Sequence, residues 1–298
     1  MMAMFAPRPW PIGAALAATA LMATLPLAAD DVDDALSIPT SQGCSARYSE
    51  VAHHRPDSDA TTPKQAVRRG FDTQRDWGTE HNVEVLAPGE SGLDQPVLRV
   101  HYPAGTSSPG DDGNGRGQGG AGFYTQDAGL ADADRACLRY QVRFAEDFDF
   151  VRGGKLPGLY GGDGPSGGEA ADGDNGFSMR FMWREQGQGE LYEYVVNQDE
   201  DHGASVGRGL WHFPTDRWVT VEQEVVLNHP DRDDGVARVW IDGEPVLEQH
   251  GIVYRTSERV GIEGVMFSSF FGGHGEGWRT PRDQHADFGD FRLYVPGA

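Results

Sequence analysis

Short segments in which apolar and polar residues alternate recur along the chain, and glycine-rich turns separate them. Alternation with a period of two is the pattern of a half-buried β-strand. The segments that show it or are rich in strand-forming residues are 82–86, 96–102, 138–144, 177–184, 190–196, 218–227, 236–242, 264–271 and 288–295. Helical periodicity is confined to short pieces, the best being 126–136. The pattern predicts an all-β fold, a jelly-roll sandwich of two antiparallel sheets with few short helices.

Composition changes along the chain and divides it into three regions. Residues 1–29 contain a single charge, Arg8, before an apolar run over 12–27, and we expect a secretory signal peptide. An uncleaved membrane anchor is the alternative. Residues 30–65 are polar and acidic and are expected to form an irregular extension, and 66–298 the β domain. Export would make the protein secreted or periplasmic, where Cys44 and Cys137 could form a disulfide; two buried thiols are the alternative.

The formal net charge of −21 limits the partners of the protein. Binding to nucleic acid needs a basic face, so nucleic acid is excluded, and an anionic membrane surface is disfavoured in the same way. After signal cleavage we therefore expect a soluble, monomeric protein that is not bound to a membrane.

Lys155 is one of two lysines among the 25 Lys and Arg residues of the chain, the other being Lys64. It lies in GGKLPGLYGG, residues 153–162, which the glycines and the proline predict to be a turn. A lysine pKa can move, so a lysine suits proton transfer or charge neutralisation where arginine does not. A solvated loop lysine is the alternative.

The strand FSMRFMWR, residues 177–184, has one apolar and one polar face. Side chains alternate along a strand, so Ser178, Arg180 and Arg184 share a face, and Tyr192 and Tyr194 share a face of the next strand. A hairpin centred on Gly187 would place residue 180 opposite 194 and residue 182 opposite 192, which brings the two polar faces together.

Such a set of side chains suits proton abstraction beside a carboxylate. In a polyuronate the proton on sugar carbon 5 is poorly acidic because the adjacent carboxylate is charged. A cation or donor on that carboxylate stabilises the developing charge, a second group takes the proton, and a third protonates the departing oxygen on carbon 4. The product is an unsaturated uronate. Each member taken alone is also explained by packing or by a solvated polar face.

Several long motifs carry a resemblance to one family. They are GGKLPGLYGG, FSMRFMWR, GELYEYV, SVGRGLW, FSSFFGG and WRTPRDQHADFGDFRL, in this order. Together they resemble polysaccharide lyase family 14, which includes alginate and glucuronan lyases with a β-jelly roll. The resemblance implies a carbon–oxygen lyase acting on an anionic polysaccharide. It also implies that the catalytic residues are Lys155, Ser178, Arg180, Tyr192 and Tyr194.

An acidic protein repels a polyuronate at long range, so this function needs a local basic cleft. We expect Arg139, Arg143, Arg184 and Arg208 to bind substrate on the same face as Lys155 and Arg180. No cofactor is expected. The acidic cluster Asp163, Glu169, Asp172 and Asp174 could hold a structural calcium ion, but a solvated acidic loop is the alternative.

Two other functions fit an all-β secreted protein. A glycoside hydrolase would need two carboxylates flanking the bond, and the E-x-D-x-x-E strand motif is absent. A non-catalytic carbohydrate-binding module would use Trp183, Trp211 and Trp278 as stacking platforms. Such a module would still bind carbohydrate after loss of Lys155 or Tyr194, whereas a lyase would lose its activity.

Overall fold

A computed structural model of the chain describes residues 36–37, 41–73, 75–109, 119–131, 133–273 and 275–297. The predicted signal peptide, residues 1–29, lies outside the described residues. Across the described part of the chain, no helix has the length and the apolar character that a membrane-crossing helix needs.

The described residues contain sixteen strands, one α-helix and four 3-10 turns. The strands are β1 (Leu36–Ser37), β2 (Ser49–His54), β3 (Asp76–Trp77), β4 (Val83–Leu86), β5 (Val97–Tyr102), β6 (Ala121–Tyr124), β7 (Arg135–Phe144), β8 (Gly153–Gly162), β9 (Gly176–Arg184), β10 (Gly189–Tyr194), β11 (Ala204–Val206), β12 (Val219–Val226), β13 (Gly235–Ile241), β14 (Glu244–Ile252), β15 (Gly264–Phe271) and β16 (Gln284–Val295). The helix is α1 (Pro63–Gly70), and the 3-10 turns are Cys44–Ala46, Ala128–Leu130, Glu185–Gly187 and Glu276–Trp278.

The strands form two sheets in which the paired strands are antiparallel. Sheet I has the order β1-β14-β13-β12-β7-β16-β5-β4, and β2 pairs with β16 beside this path. Sheet II has the order β11-β10-β9-β8-β15-β6-β3. The predicted all-β jelly-roll sandwich with few short helices is confirmed.

The core lies between the two sheets and follows the predicted alternation. The inward-facing side chains of β7 and β9 are fully buried: Leu138, Tyr140, Val142, Phe144, Phe177, Met179, Phe181 and Trp183. The Tyr140 hydroxyl donates a hydrogen bond to the carbonyl oxygen of Pro157 on β8 at 3.2 Å, which links the sheets. The outward face of β9 is therefore free to carry polar groups.

The segment GGKLPGLYGG is a strand, β8, and the prediction of a turn is wrong. Its glycines are required because neighbouring atoms fill the space that a side chain would take. A Cβ on Gly154 would lie 2.0 Å from the Trp183 ring, and one on Gly158 would lie 1.9 Å from the carbonyl oxygen of Met179. Pro157, which lacks an N–H, lies at an irregularity in the pairing with β9.

The secondary structure predicted for the first half of the chain was also incomplete. Of the candidate helical segment 126–136, only Ala128–Leu130 is a 3-10 turn, and β7 begins at Arg135. The unpredicted helix α1 begins after Thr62, whose hydroxyl accepts a hydrogen bond from the backbone N–H of Gln65 at 3.2 Å. Within the extension expected to be irregular, β2 pairs with β16. The domain boundaries themselves stay a prediction.

A disulfide joins Cys44 to Cys137, across 93 residues of sequence. The two Cα atoms lie 5.8 Å apart, within the usual range for such a bridge. Cys137 lies on β7 in sheet I, so the bridge ties the segment before β2 to a central strand. The sequence was compatible with either a disulfide or two buried thiols, and the structure has the disulfide.

Candidate active site

A cleft of about 530 Å³ lies on the outward face of sheet II. Lys155 of β8, Arg180 of β9, and Tyr192 and Tyr194 of β10 line it together. These strands are neighbours in the sheet, and outward-facing residues on neighbouring strands lie close to each other. The structure therefore brings together four of the five predicted catalytic side chains.

The register of the β9–β10 hairpin differs from the prediction by two residues. Tyr192 lies opposite Arg180, and Tyr194 lies opposite Ser178. The connection is a tight 3-10 turn at Glu185–Gly187, in which Gln186 has a φ of 59°. A shift of two residues preserves the face on which each side chain lies, so the predicted grouping survives the error.

Lys155 is buried in an unusual environment for an amine. Its Nζ lies 2.8 Å from Met182 Sδ and 3.1 Å from the centre of the Tyr192 ring. Among the described residues it has no carboxylate within ion-pair distance. Burial, followed by the positive charges of Arg180 and Arg184, holds the pKa of Lys155 well below its ordinary value. The neutral amine is therefore easier to reach than in a solvated lysine.

Arg180 lies beneath the tyrosines and is 3% exposed. Its guanidinium carbon lies 5.8 Å from the centre of the Tyr194 ring. Within the described part of the chain its Nε has no hydrogen-bond partner. A guanidinium that lines a cleft and has no carboxylate partner among the described residues is suited to receive the carboxylate of a ligand.

The two tyrosines meet edge to face, with ring centroids 5.8 Å apart. Burial, together with the neighbouring Tyr194, raises the pKa of Tyr192 to about 12. Tyr192 therefore keeps its proton at neutral pH and can serve as a proton donor. The hydroxyl oxygen of Tyr194 accepts a hydrogen bond from the backbone N–H of Gly168 at 3.2 Å, which fixes its position.

Ser178 does not line the cleft, although it lies on the same face of β9. It is fully buried, and its hydroxyl donates a hydrogen bond to the carbonyl oxygen of Pro165 at 2.7 Å. Ser166 and Gly167, which follow Pro165, line the cleft. The contact that the structure gives Ser178 positions this wall of the cleft.

Arg184 and Arg208 flank the cleft and share a buried partner, Glu190. Arg184 Nε donates to one carboxylate oxygen of Glu190 at 2.7 Å, and Arg208 Nε donates to the other at 2.6 Å. Glu190 is fully buried. Arg184 lines the cleft, whereas Arg208 lines an adjoining pocket, so both lie near the site as expected.

The expectation that Arg139 and Arg143 share a face with Lys155 is wrong. Both lie on β7, which belongs to sheet I, and they alternate with side chains that face the core. They therefore point outward on the opposite side of the sandwich. Arg143 Nη2 lies 2.7 Å from Asp287 Oδ2, and Arg139 forms an ion pair with Asp290. The sequence pattern gives the face of a strand but not its sheet.

The ion pairs on the outward face of sheet I form a ladder in which each carboxylate is shared. Asp287 binds Arg99 as well as Arg143, and Asp290 binds Arg292 as well as Arg139. We call this set the sheet I ladder. Each of its four arginines already pairs with a carboxylate, so a ligand would have to compete with Asp287 and Asp290 for these donors.

Several residues of the cleft were not singled out from the sequence. They are Trp77, Ser108, Pro109, Tyr124, His202 and Phe270. Trp77 and Tyr124 lie on β3 and β6, strands of two and four residues that are too short to show alternation. His202 lies in the polar stretch before β11 and is exposed. Aromatic residues in short strands were the available signal.

Glu193, between the two tyrosines, faces the opposite way and is 3% exposed. One of its oxygens accepts a hydrogen bond from Gln249 Nε2 at 2.9 Å, and the other has no partner within the described residues. Burial raises the pKa of Glu193 to about 7. A charged residue at an inward-facing position of the strand was the signal in the sequence.

The three candidate stacking tryptophans do not form one platform. Trp183 is fully buried and Trp211 is 5% exposed, and both belong to the core. Trp278 lines the cleft. The fold therefore does not present these three tryptophans together as a surface on which sugars could stack.

The acidic segment before β9 directs its carboxylates to other partners. Asp172 accepts hydrogen bonds from the backbone N–H groups of Asp174 and Asn175, and Asp174 pairs with Arg259. Within the described residues the grouping of possible metal-ligating atoms is Cys44, Cys137 and Glu222, and its sulfurs are held in the disulfide. Calcium binding stays a prediction.

Comparison with known proteins identifies a family and structures that this chain resembles. The sequence profile of the family described as Polysaccharide lyase 14 matches residues 90–291. An alginate lyase of the same family from Aplysia kurodai is 28% identical, with a TM-score of 0.72, over 83% of this chain and 100% of that chain. No curated protein sequence matches.

Two more distant structures share the fold. An alginate lyase from a Chlorella virus is 21% identical, with a TM-score of 0.64, over 83% of this chain and 100% of that one. An endo-β-1,4-glucuronan lyase from Trichoderma reesei is 12% identical, with a TM-score of 0.51, over 83% of this chain and 96% of that one.

Proposed function

The chain belongs to polysaccharide lyase family 14, and from that premise we propose that it cleaves a polyuronate, alginate or glucuronan, by β-elimination. The observation that carries the proposal is the buried Lys155, which has no carboxylate partner among the described residues, in one cleft with Arg180 and two tyrosines. The similarity to the Aplysia alginate lyase supports a polyuronate as the substrate.

Arg180 binds the carboxylate of the uronate at the bond to be cleaved. Its guanidinium lines the cleft and offers a charge-assisted hydrogen bond, which strengthens as negative charge develops on the carboxylate. Neutralising the carboxylate lowers the cost of removing the proton on carbon 5. An arginine suits this role because it stays protonated throughout.

Lys155 acts as the general base. Its lowered pKa makes the neutral amine, which has a free electron pair, accessible. The amine takes the proton from carbon 5, the electron pair forms the double bond between carbons 4 and 5, and the bond from carbon 4 to the glycosidic oxygen breaks. Lys155 then carries a positive charge beside the electron-rich face of the Tyr192 ring, which stabilises it.

Tyr192 protonates the departing oxygen. Its raised pKa keeps the phenol protonated before the reaction, and its contact with Lys155 places a proton acceptor and a proton donor side by side. After the step Lys155 has gained one proton and Tyr192 has lost one, so transfer between them, directly or through water, restores the site. Tyr194 holds Tyr192 and Arg180 in position through its ring contacts.

The test is the ultraviolet absorbance of unsaturated ends formed from polymannuronate, polyguluronate and glucuronan. We expect one of these polymers to give a signal with the wild-type protein and none with Lys155→Ala. Binding without product by the wild-type protein would instead identify a non-catalytic carbohydrate-binding module.

We propose that the protein acts outside the cytoplasm, as a monomer and without a dissociable cofactor. The leader-like residues 1–29 and the Cys44–Cys137 disulfide support export, because such bridges persist in oxidising compartments. Arg180 and Lys155 supply the charge neutralisation and the base from the protein itself. Product formation should therefore persist after treatment with a chelator.

A further inference from the structure

A second pocket of about 340 Å³ opens beside the cleft. Arg184 and Trp278 line both spaces, so the second pocket continues the cleft at its end near Arg184. The remaining lining residues of the second pocket are Arg152, Glu185, Gln188 and Arg208. The mechanism proposed above uses none of these four.

Arg152 differs from the two other arginines of the second pocket. Arg184 and Arg208 both donate to the buried Glu190. Arg152 is exposed, and its guanidinium carbon lies 5.1 Å from the centre of the Trp278 ring. No carboxylate of the described residues pairs with it. The second pocket thus holds a guanidinium whose donors are available to a ligand.

The charges around the second pocket favour an anion. Three guanidiniums face two carboxylates, the exposed Glu185 and the buried Glu190, which leaves one positive charge in excess. The whole chain has a net charge of −21, so this excess is a local exception. An arginine fork matches a carboxylate, and an aromatic ring beside it offers an apolar surface to a sugar ring.

We propose that the second pocket is a distal subsite, which binds the carboxylate of another uronate residue of the polymer that is cleaved in the cleft. The proposal rests on the proposed function. Arg152 lies in the turn that precedes β8 and lines the second pocket but not the cleft, whereas Lys155 lines the cleft but not the second pocket. The sugar bound in the second pocket is therefore a different residue of the polymer from the one that loses its proton in the cleft.

This arrangement makes turnover depend on chain length. An oligomer that fills only the cleft gains nothing from Arg152, whereas a longer chain gains a charge-assisted contact. Lengthening the substrate should lower KM until the chain reaches the second pocket and then have little further effect. The distal contact therefore favours long polymers over the short products.

The test compares Arg152→Ala with Arg232→Ala on oligomannuronates and oligoglucuronates from the trimer upward and on the polymers. Arg232 is a matched exposed arginine in the connection between β12 and β13 of sheet I. We expect Arg152→Ala to lower kcat/KM about tenfold on the polymer, the size of one charged contact. On the trimer we expect no change, and Arg232→Ala should match the wild type at every length.

An unchanged kcat/KM at all lengths, or an equal loss at all lengths, would overturn the distal subsite. If the wild-type protein forms no unsaturated ends from any polymer, the proposed function fails, and calorimetric titration with polymannuronate and glucuronan decides about the pocket. About tenfold weaker binding by Arg152→Ala would support it. Equal binding, or no binding by the wild type, would refute it.

Discussion

The amine of Lys155 lies 3.1 Å from the centre of the Tyr192 ring. The contact spans β9, which lies between β8, the strand of Lys155, and β10, the strand of Tyr192. The pKa of Lys155 is lowered and the pKa of Tyr192 is raised to about 12, and burial is the largest cause of both shifts. Both shifts act in the direction that the proposed roles require, toward a neutral lysine and a protonated tyrosine.

Replacing Lys155 with arginine should abolish proton abstraction while keeping the charge. We expect kcat to fall by about 10²- to 10⁴-fold, because arginine cannot become neutral. In the wild type, activity should rise with pH as Lys155 loses its proton, below the ordinary lysine range. The measurement is the pH dependence of kcat/KM, with Lys64→Arg, the other lysine, as the control. A retained rising limb in Lys155→Arg would contradict the role of Lys155.

Removing the Tyr192 hydroxyl should block protonation of the departing oxygen. We expect Tyr192→Phe to lower kcat by about 10²- to 10⁴-fold with a small change in KM, because the ring that contacts Lys155 remains. Steady-state kinetics on the best polymer measure this split. Tyr294→Phe in sheet I serves as the control. A rise in KM at constant kcat would make Tyr192 a binding residue only.

Arg139→Ala should leave activity unchanged, because Arg139 lies on the sheet opposite the cleft. Its loss leaves Asp290 with fewer partners, and we expect the free energy of unfolding to fall by about 1 kcal/mol. Arg180→Ala should show the reverse pattern, with little activity on any polyuronate. Denaturant unfolding and product formation, measured on both variants, check the contrast. Lost activity in a folded Arg139→Ala protein would contradict the placement of the site.

Glu193 should make stability depend on pH. Its pKa is near 4.5 when unfolded and rises to about 7 in the folded protein, so the folded state binds the proton more tightly. Its contribution to stability is then full below pH 4.5 and is lost as pH rises through 7. We expect Glu193→Gln to be more stable than the wild type at pH 8, by on the order of 2 kcal/mol, and similar at pH 4.5.

Denaturant unfolding at several pH values measures this difference. Glu185→Gln, an exposed residue, controls for the general loss of one negative charge. Equal pH dependence in the wild type and Glu193→Gln would show that Glu193 does not titrate differently in the folded state.

Loss of the disulfide should destabilise the fold without removing the site. We expect Cys44→Ser/Cys137→Ser to lower the free energy of unfolding by about 2–5 kcal/mol, because the bridge closes a long loop in the unfolded chain. Thermal unfolding with and without reductant measures it. Reductant should destabilise the wild type and leave the double variant unchanged. If reductant lowered the stability of both proteins equally, the bridge would not be the cause.

The alternation of side chains was sufficient to group Arg180, Tyr192 and Tyr194, because parity survives a register shift of two residues. It failed for β8, where glycines serve close packing against Trp183 and Met179 rather than a turn. It also failed for Arg139 and Arg143, because parity gives the face of a strand while sheet order depends on pairing between distant strands. Trp77 reaches the cleft through the pairing of β3 with the distant strand β6, whereas His202 reaches it from the loop between β10 and β11.

The sheet I ladder has a consequence for how a polyanion meets the protein. Its four arginines already pair with Asp287 and Asp290, so a negatively charged chain that approached this surface would have to compete with those carboxylates. The net charge of −21 repels such a chain at long range, whereas Arg180 in the cleft and the exposed Arg152 in the second pocket attract it locally. Productive association should therefore depend on the orientation in which protein and polymer meet. A short product released from the cleft should have little tendency to bind again elsewhere on the surface.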